Sequence, residues 1–321
     1  MFDIATTLGG QLTDSTERAF TMGLKEVPEG GRQIFNPEPT DKYTEVFNSA
    51  VTDPAASRTS DGGVFYLVTP IQGDSLTLTQ YKVTVSMEVT EMEMHFDKYG
   101  VTPKLLSVAQ GIGSGLMVAQ ELDTQQFVKN GTATNYTDRD GNLISTTGAD
   151  ALALFSASHT INANSSTFSN TNSTAFGQTG MEQHLDFFRK FLNHDGIRVN
   201  RRPNAIFSSR KAAVTRLISE YAVSQGQPET QLLGDNTYRG RFTHIPLEYL
   251  DTNSSRGADT ATENYWGLCV RNGPNMKLRI SKPPDLMAPE KVLRTNNWLI
   301  KGQTWYAVGV YESTDISMAN A

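Results

Sequence analysis

The chain has 321 residues, 38% of them hydrophobic, and a formal net charge of −6, enough length for about two domains and a sizeable core. The acidic balance argues against a protein that grips nucleic acid over a broad basic surface, and no run of about eighteen apolar residues is present to form a membrane span. The single cysteine, Cys269 in the apolar run Tyr265–Val270, excludes an internal disulfide and two-cysteine metal motifs and reads as a small buried hydrophobe on a strand.

Residues 1–42 are expected to be irregular, broken by Gly9-Gly10, Gly30-Gly31, Pro37 and Pro39, with one short amphipathic helix over Ser15–Leu24. Met1–Ala5 carry no basic segment ahead of a long apolar run, so no secretory signal is expected, and the Asn-x-Ser/Thr triplets at Asn130, Asn135, Asn164, Asn172 and Asn253 read as a by-product of a Ser/Thr/Asn-rich chain. An extended arm of this kind is costly to order alone and must lie on another surface.

From Tyr43 onward the pattern turns to strands. Val64–Pro70 is β-branched and aromatic, Ser75–Thr79 alternates, and Tyr81–Thr90 alternates with Val83, Val85, Met87 and Val89 on one face. Gln72-Gly73-Asp74 is expected to be the turn of a long hairpin, with a polar tip over residues 53–63. Such a ribbon has little core of its own, so Val64, Phe65, Tyr66, Leu67, Leu76 and Leu78 are expected to contact a neighbouring chain.

Thr102–Asn130 predicts the longest helix. Thr102 can cap it, Pro103 suits its first turn, Asn130-Gly131 suits its end, and Leu105, Ala109, Ile112, Leu116, Ala119 and Leu122 follow three-four spacing. Gly111, Gly113 and Gly115 sit inside it at about 1 kcal/mol each, which implies close backbone packing or a kink on that side. A phosphate loop is excluded, because no strand directly precedes these glycines and no Lys-Ser/Thr follows. Further on, helices are expected over Met181–Asn193 and Arg210–Val223. Strands are expected at Ala205–Ser208, Phe242–Leu250, Tyr265–Val270, Lys277–Ile280, Asn297–Lys301 and Gln303–Glu312, with Lys301-Gly302-Gln303 as a tight turn.

The search for chemistry returns no catalytic site, no cofactor and no metal. Ser156, Ser158 and His159 bring hydroxyl and imidazole together, but no Gly-x-Ser-x-Gly surrounds either serine and no acid is evident to orient the base. Asp138-Arg139-Asp140-Gly141-Asn142 resembles part of a calcium loop, yet the first ligand would fall on Tyr136 and the bidentate acid on Thr147, so a turn is the better reading. The five histidines are scattered without zinc spacing, and Met87, Met92 and Met94 alternate as core residues do. Arg198, Arg201 and Arg202 beside Pro203 read as salt-bridge formers or as contacts to DNA.

Three segments carry a family resemblance. Val83–Thr90 leads through Phe96-Asp97-Lys98-Tyr99-Gly100 into the long helix. Phe127–Gly131 at the helix end is followed by Gly148–His159, which contains Leu154-Phe155-Ser156. Leu299–Val310 closes the chain with Ala307-Val308-Gly309. In this order they resemble the major head protein of tailed bacteriophages, of the Mu-like type, with Asp150-Ala151 where that family usually has Asp-Gly. The resemblance implies an α+β capsid fold: an N-terminal arm (1–42), an extended β-hairpin loop (43–82), a peripheral domain (83–199 with 286–321) carrying a spine helix (102–130), and an axial domain (200–285). It further implies self-assembly into hexamers and pentamers of an icosahedral shell around double-stranded DNA, bound without sequence specificity. Portal, scaffolding or decoration proteins would be its partners, and assembly would take place in the host bacterial cytoplasm. Some relatives cross-link through lysine and asparagine, and no motif here assigns such a pair. The alternative is a β-rich tail protein or adhesin that binds surface glycans, which the two long helical patterns oppose.

Overall fold

The computed structural model describes residues 4–51, 71–90, 101–160, 167–191, 198, 201–223, 238–253, 257–292, 295 and 297–320. The chain opens with helix α1 (Ile4–Glu26) and the one-turn α2 (Gly31–Ile34). Strands β1 (Asn36–Pro39), β2 (Thr44–Val51), β3 (Ile71–Thr79) and β4 (Tyr81–Val89) follow, then the long helix α3 (Val101–Lys129). Short strands β5 (Asn135–Thr137), β6 (Leu143–Ser145), β7 (His159–Thr160), β8 (Thr167–Phe168) and β9 (Thr171–Asn172) lead to helix α4 (Gln178–Lys190). The remainder comprises β10 (Ala205–Ser209), helix α5 (Ala212–Val223), β11 (Thr243–Leu247), β12 (Trp266–Cys269), β13 (Met276–Lys291), β14 (Trp298–Val310) and β15 (Ile316–Ala319).

Two sheets organise these elements. One runs β1-β13-β14-β4 and carries α3 against it; the other runs β11-β10-β12-β15-β9 and packs on α4 and α5. The last strand and α4 therefore sit with the sheet built around residues 200–285, while the β13 residues Met276–Asp285 sit in the first sheet beside β14. A buried cluster including Phe35, Phe127, Leu154, Phe207, Met276, Tyr306 and Met318 joins the two sheets. A second cluster holds Phe188, Ile218, Tyr221 and Trp266 under α4 and α5. A third holds Phe20, Ile112, Leu116 and Ile300 between α1, α3 and the first sheet.

The α3 stripe follows its periodicity at Leu105, Ala109, Ile112, Leu116 and Leu122, which are buried, whereas Ala119 is half-buried; the helix ends one residue before the expected Asn130. The N-terminal region differs from expectation. Residues 4–26 form one helix instead of an irregular arm with a short helix at Ser15–Leu24. The two glycines at positions 9 and 10 weaken a helix in isolation, but α1 lies along α3, and tertiary packing outweighs propensity. The long-helix glycines divide by their surroundings. A Cβ at Gly113 would lie 2.4 Å from the Phe20 carbonyl oxygen of α1, and one at Gly23 would lie 2.1 Å from the Gln110 oxygen. At Gly111 only Met87 comes near, at 3.9 Å, and at Gly115 nothing lies within 4 Å.

The hairpin also differs. Thr44–Val51 pairs with Ile71–Thr79, and Gln72-Gly73-Asp74 lies within β3 instead of forming a turn. Val64, Phe65, Tyr66 and Leu67 lie outside the described residues. Leu76 faces Phe47 across the ribbon, and Leu78 is buried in its own chain, where a Cβ on Gly309 would come within 2.4 Å of it. Leu78 is thus an internal contact, because it sits at the base of the ribbon over β14. Lys301-Gly302-Gln303 is not a turn either: β14 runs unbroken from Trp298 to Val310. Gly302 serves close approach instead, since a Cβ there would lie 2.4 Å from Ile112 of α3.

These contacts separate two substitutions that propensity treats alike. Gly115→Ala is expected to raise stability by up to about 1 kcal/mol, as a helix position with nothing within 4 Å of an added Cβ gains a better helix former. Gly113→Ala is expected to lower it by about 1–3 kcal/mol, because the methyl group meets α1 backbone that has no rotamer with which to yield. Thermal unfolding of the two variants side by side measures the difference, and equal stabilisation would show that α1 does not press on α3.

Candidate functional site

The segment that best offered chemistry folds around Asp150. Its carboxylate accepts from the Leu152 amide at 3.2 Å and meets His159 Nδ1 at 2.7 Å. The acid that sequence spacing missed is therefore present, nine residues upstream, and the pair has the orienting half of a hydrolytic triad. The other half is missing. His159 is 1% exposed, stacks on Phe168 with ring centroids 5.2 Å apart, and its Nε2 has no hydrogen-bond partner. Among the described residues no serine hydroxyl reaches the nitrogen that would have to take its proton. Ser156 instead anchors the loop, its amide donating to Asn170 at 3.0 Å and its hydroxyl accepting from the Ser158 amide at 3.2 Å. The arrangement ties a turn to a short strand.

That turn carries a local strain. Ala151, at the position where Asp-Gly is usual in the resembling family, has φ 59°, the left-handed region that disfavours a Cβ. Asp150 holds it there by capping the turn and binding His159 at once.

A second polar centre lies where α3 meets both strands of the first sheet. Asp123 Oδ2 accepts hydrogen bonds from Tyr81 of β4 at 3.1 Å and Tyr306 of β14 at 2.6 Å. The two rings pack edge to face at 4.7 Å. Burial pushes the Asp123 carboxyl up to about 6, although both hydroxyl donors pull it down, and Asp138 and Asp140 add to the rise. Burial likewise pushes the phenols of Tyr81, Tyr306 and Tyr136 up, so all three remain protonated donors. The centre borders a cleft of about 810 Å³ between β4, α3 and the β5–β6 hairpin. Asp138, read from sequence as part of a turn, accepts from the amides of Asp140 at 2.9 Å and Asn142 at 2.7 Å, and Gly141 takes φ 86°. Among the described residues no group of three or more His, Cys, Asp or Glu side chains is placed to hold a metal.

The basic residues singled out from sequence come together. Arg198, Arg201 and Arg202 line one cleft, and Arg201 Nε stands 3.2 Å from Asp315, a contact without hydrogen-bond geometry. Arg189, nine residues before Arg198, and Arg241, nearly forty residues after Arg202, bring two more guanidinium groups to the lining, and no local pattern marks them.

Two measurements follow from Asp150 and Asp123. Ala151→Gly is expected to raise stability by about 1 kcal/mol through relief of the left-handed strain, read as a higher midpoint in urea. For Asp123, the folded protein keeps a proton that the unfolded chain, with a carboxyl near 3.9, releases between about pH 4 and pH 6. Its contribution to stability is therefore whole below about pH 4 and declines as pH rises to about 6. Asp123→Asn keeps an acceptor for both tyrosines and abolishes that decline. The stability difference between parent and variant, followed from pH 4 to 7, should change through this window and level off above it; a difference that is flat with pH would contradict a raised carboxyl.

No protein-family model matches the sequence, and no curated protein matches it. The structure is similar to a chain of Mycobacterium phage Ogopogo, with a TM-score of 0.53 and 13% identity over 91% of each chain. It is similar to the capsid of the native GTA particle, with a TM-score of 0.52 and 8% identity over 90% of this chain and 89% of that one. It is similar as well to the mature capsid of bacteriophage PhiM1, with a TM-score of 0.50 and 10% identity over 90% and 86%. Identities this low establish architecture, and over nine-tenths of its length the chain has the α+β fold of the tailed-phage capsid subunit.

Proposed function

We propose that this chain is a shell subunit, whose copies associate into hexamers and pentamers of an icosahedral phage head around double-stranded DNA. The observation that carries the reading is the capsid fold over about nine-tenths of the chain. In this reading the peripheral domain is built on the β1-β13-β14-β4 sheet with α3 as the spine helix, and the axial domain on the other sheet with α4 and α5. Portal, scaffolding or decoration proteins would join it in the host cytoplasm, and the finished product is the virion. The subunit's work is mechanical: it has no catalytic duty, and the buried Asp150–His159 pair is a structural tie.

The β2–β3 ribbon supports the same reading. A two-stranded ribbon is marginal alone in water. Val46 is 55% exposed and Tyr43 66% exposed, surface that a neighbouring subunit would cover. Among the described residues the ribbon is held to the body by Arg279, which pairs with Glu45 and lies over the Phe47 ring at 4.9 Å, by the buried Leu78 and by the Tyr311 hydroxyl, which donates to the Asp74 carbonyl at 3.1 Å. An adhesin reading has no comparable support, since the 29-residue α3 packs as the centre of the fold.

Electron microscopy of the purified chain tests this directly. Closed shells are expected, whereas trimeric fibres or discrete small particles as the end product would refute the reading. Replacing residues 49–74 by a short glycine linker keeps the pairs from Thr44↔Thr79 to Asn48↔Ser75 and the buried Leu78. That variant is expected to fold with a parent-like circular dichroism spectrum and to form no shells. Shells of normal size from it would remove the ribbon from assembly.

A further inference from the structure

The cleft between the end of α4 and the segment entering β10 gathers five guanidinium groups, those of Arg189, Arg198, Arg201, Arg202 and Arg241, in a volume of about 350 Å³. Five of the chain's 28 basic residues thus line one small cleft, and all five are arginine, in a protein whose net charge is −6. Carboxylates reach two of them. Asp186 pairs with Arg189 at 2.5 Å and is shared with Lys190. Asp315 contacts Arg201, but it is fully buried and its other oxygen accepts from the Asn275 amide at 2.9 Å. Among the described residues Arg198, Arg202 and Arg241 have no carboxylate partner, and all three are exposed. One wall of the cleft is apolar, formed by the buried Phe188.

Like charges held together against an apolar wall repel more strongly than the same charges spread over open surface, because the wall lowers the local dielectric. Two features show that the guanidinium groups are placed and not merely crowded. Arg241 lies over the Phe242 ring at 5.1 Å, which fixes its plane, and Pro203 is buried directly after Arg202, which stiffens the backbone there. A planar fork of donors matches the paired oxygens of a phosphate, which a lysine meets only as a point charge. We propose that this cleft is a phosphate-binding site, taking the backbone phosphates of a nucleic-acid duplex or a free polyphosphate.

The test uses the full chain and two probes, a fluorescent 20-base-pair duplex of arbitrary sequence followed by anisotropy and tripolyphosphate followed by calorimetry, each at 50 and 200 mM salt. The variant is Arg198→Ala/Arg202→Ala/Arg241→Ala, three exposed side chains whose loss leaves the core intact. The control removes the same charge elsewhere, at the exposed Lys25, Arg139 and Arg216. The cleft variant is expected to bind at least tenfold more weakly than the parent, and for the duplex its salt dependence is expected to shallow by about one unit of log–log slope per lost phosphate contact. The control is expected to bind as the parent does. Loss of duplex binding names backbone phosphates as the ligand; loss of tripolyphosphate binding alone names a free phosphate; either supports the site. The proposal is overturned if the parent binds neither probe, if the control loses as much as the cleft variant, or if the cleft variant changes only particle yield. The readout is binding by the subunit, so it remains decisive whether or not closed shells form.

Discussion

The structure depends on the burial of polar side chains along the C-terminal half of α3. Glu121 accepts from the Gly31 amide at 2.6 Å and the Arg32 amide at 3.2 Å, which fixes α2. Gln120 donates to Thr304 of β14 at 3.0 Å, and Asp123 holds the tyrosines of β4 and β14. Gln125 accepts from the Tyr249 amide at 2.7 Å, Gln126 donates to the Thr252 carbonyl at 2.6 Å, and Lys129 pairs with Asp259 at 2.6 Å. Around its circumference this end of the helix therefore binds the N-terminal segment, the first sheet and the loops beside the second. An apolar face would tolerate sliding of these parts, whereas buried polar groups impose a single register, since each one left without a partner would cost about 1–3 kcal/mol.

The opposite requirement operates at the N-terminal half of α3, where contact is made by backbone. Gly23 and Gly113 let α1 and α3 meet at a distance that side chains would prevent, and Gly302 does the same for β14. The long helix is thus gripped by polar bonds at one end and by close backbone approach at the other. Among the described residues the β2–β3 ribbon is fastened to the body through Arg279, Leu78 and the Tyr311 hydroxyl, which donates to the Asp74 carbonyl.

The two histidine sites illustrate how burial settles function. His159 is oriented by Asp150 as a general base would be, and His184 accepts or donates at Ser317 with a separation of 2.8 Å. Burial pulls the His184 imidazole down to about 3, which keeps it neutral in the core beside Trp266. Both rings are closed to solvent, and a base without access to a reacting group is a packing residue whatever its partner.

Sequence by itself determined the local elements with strong periodicity. The apolar stripe and end signals of α3, the apolar residues Ala205–Phe207 of β10 and the run Trp266–Cys269 of β12, and the ordered motifs that resembled a capsid subunit all rest on residues close together in the chain. Tertiary structure decided the rest. Whether Gly302 turns or lies flat depends on Ile112 nearly two hundred residues away, and whether residues 4–26 stay helical depends on α3. The partner of β3 is Thr44–Val51, on the other side of residues 52–70, which local alternation cannot select over a nearer one. Arg189 and Arg241 join Arg198, Arg201 and Arg202 only because α4 and the turn before β11 fold onto the segment entering β10. Periodicity reports which face of an element is apolar, but the identity of what covers that face is a property of contacts between residues far apart in the chain.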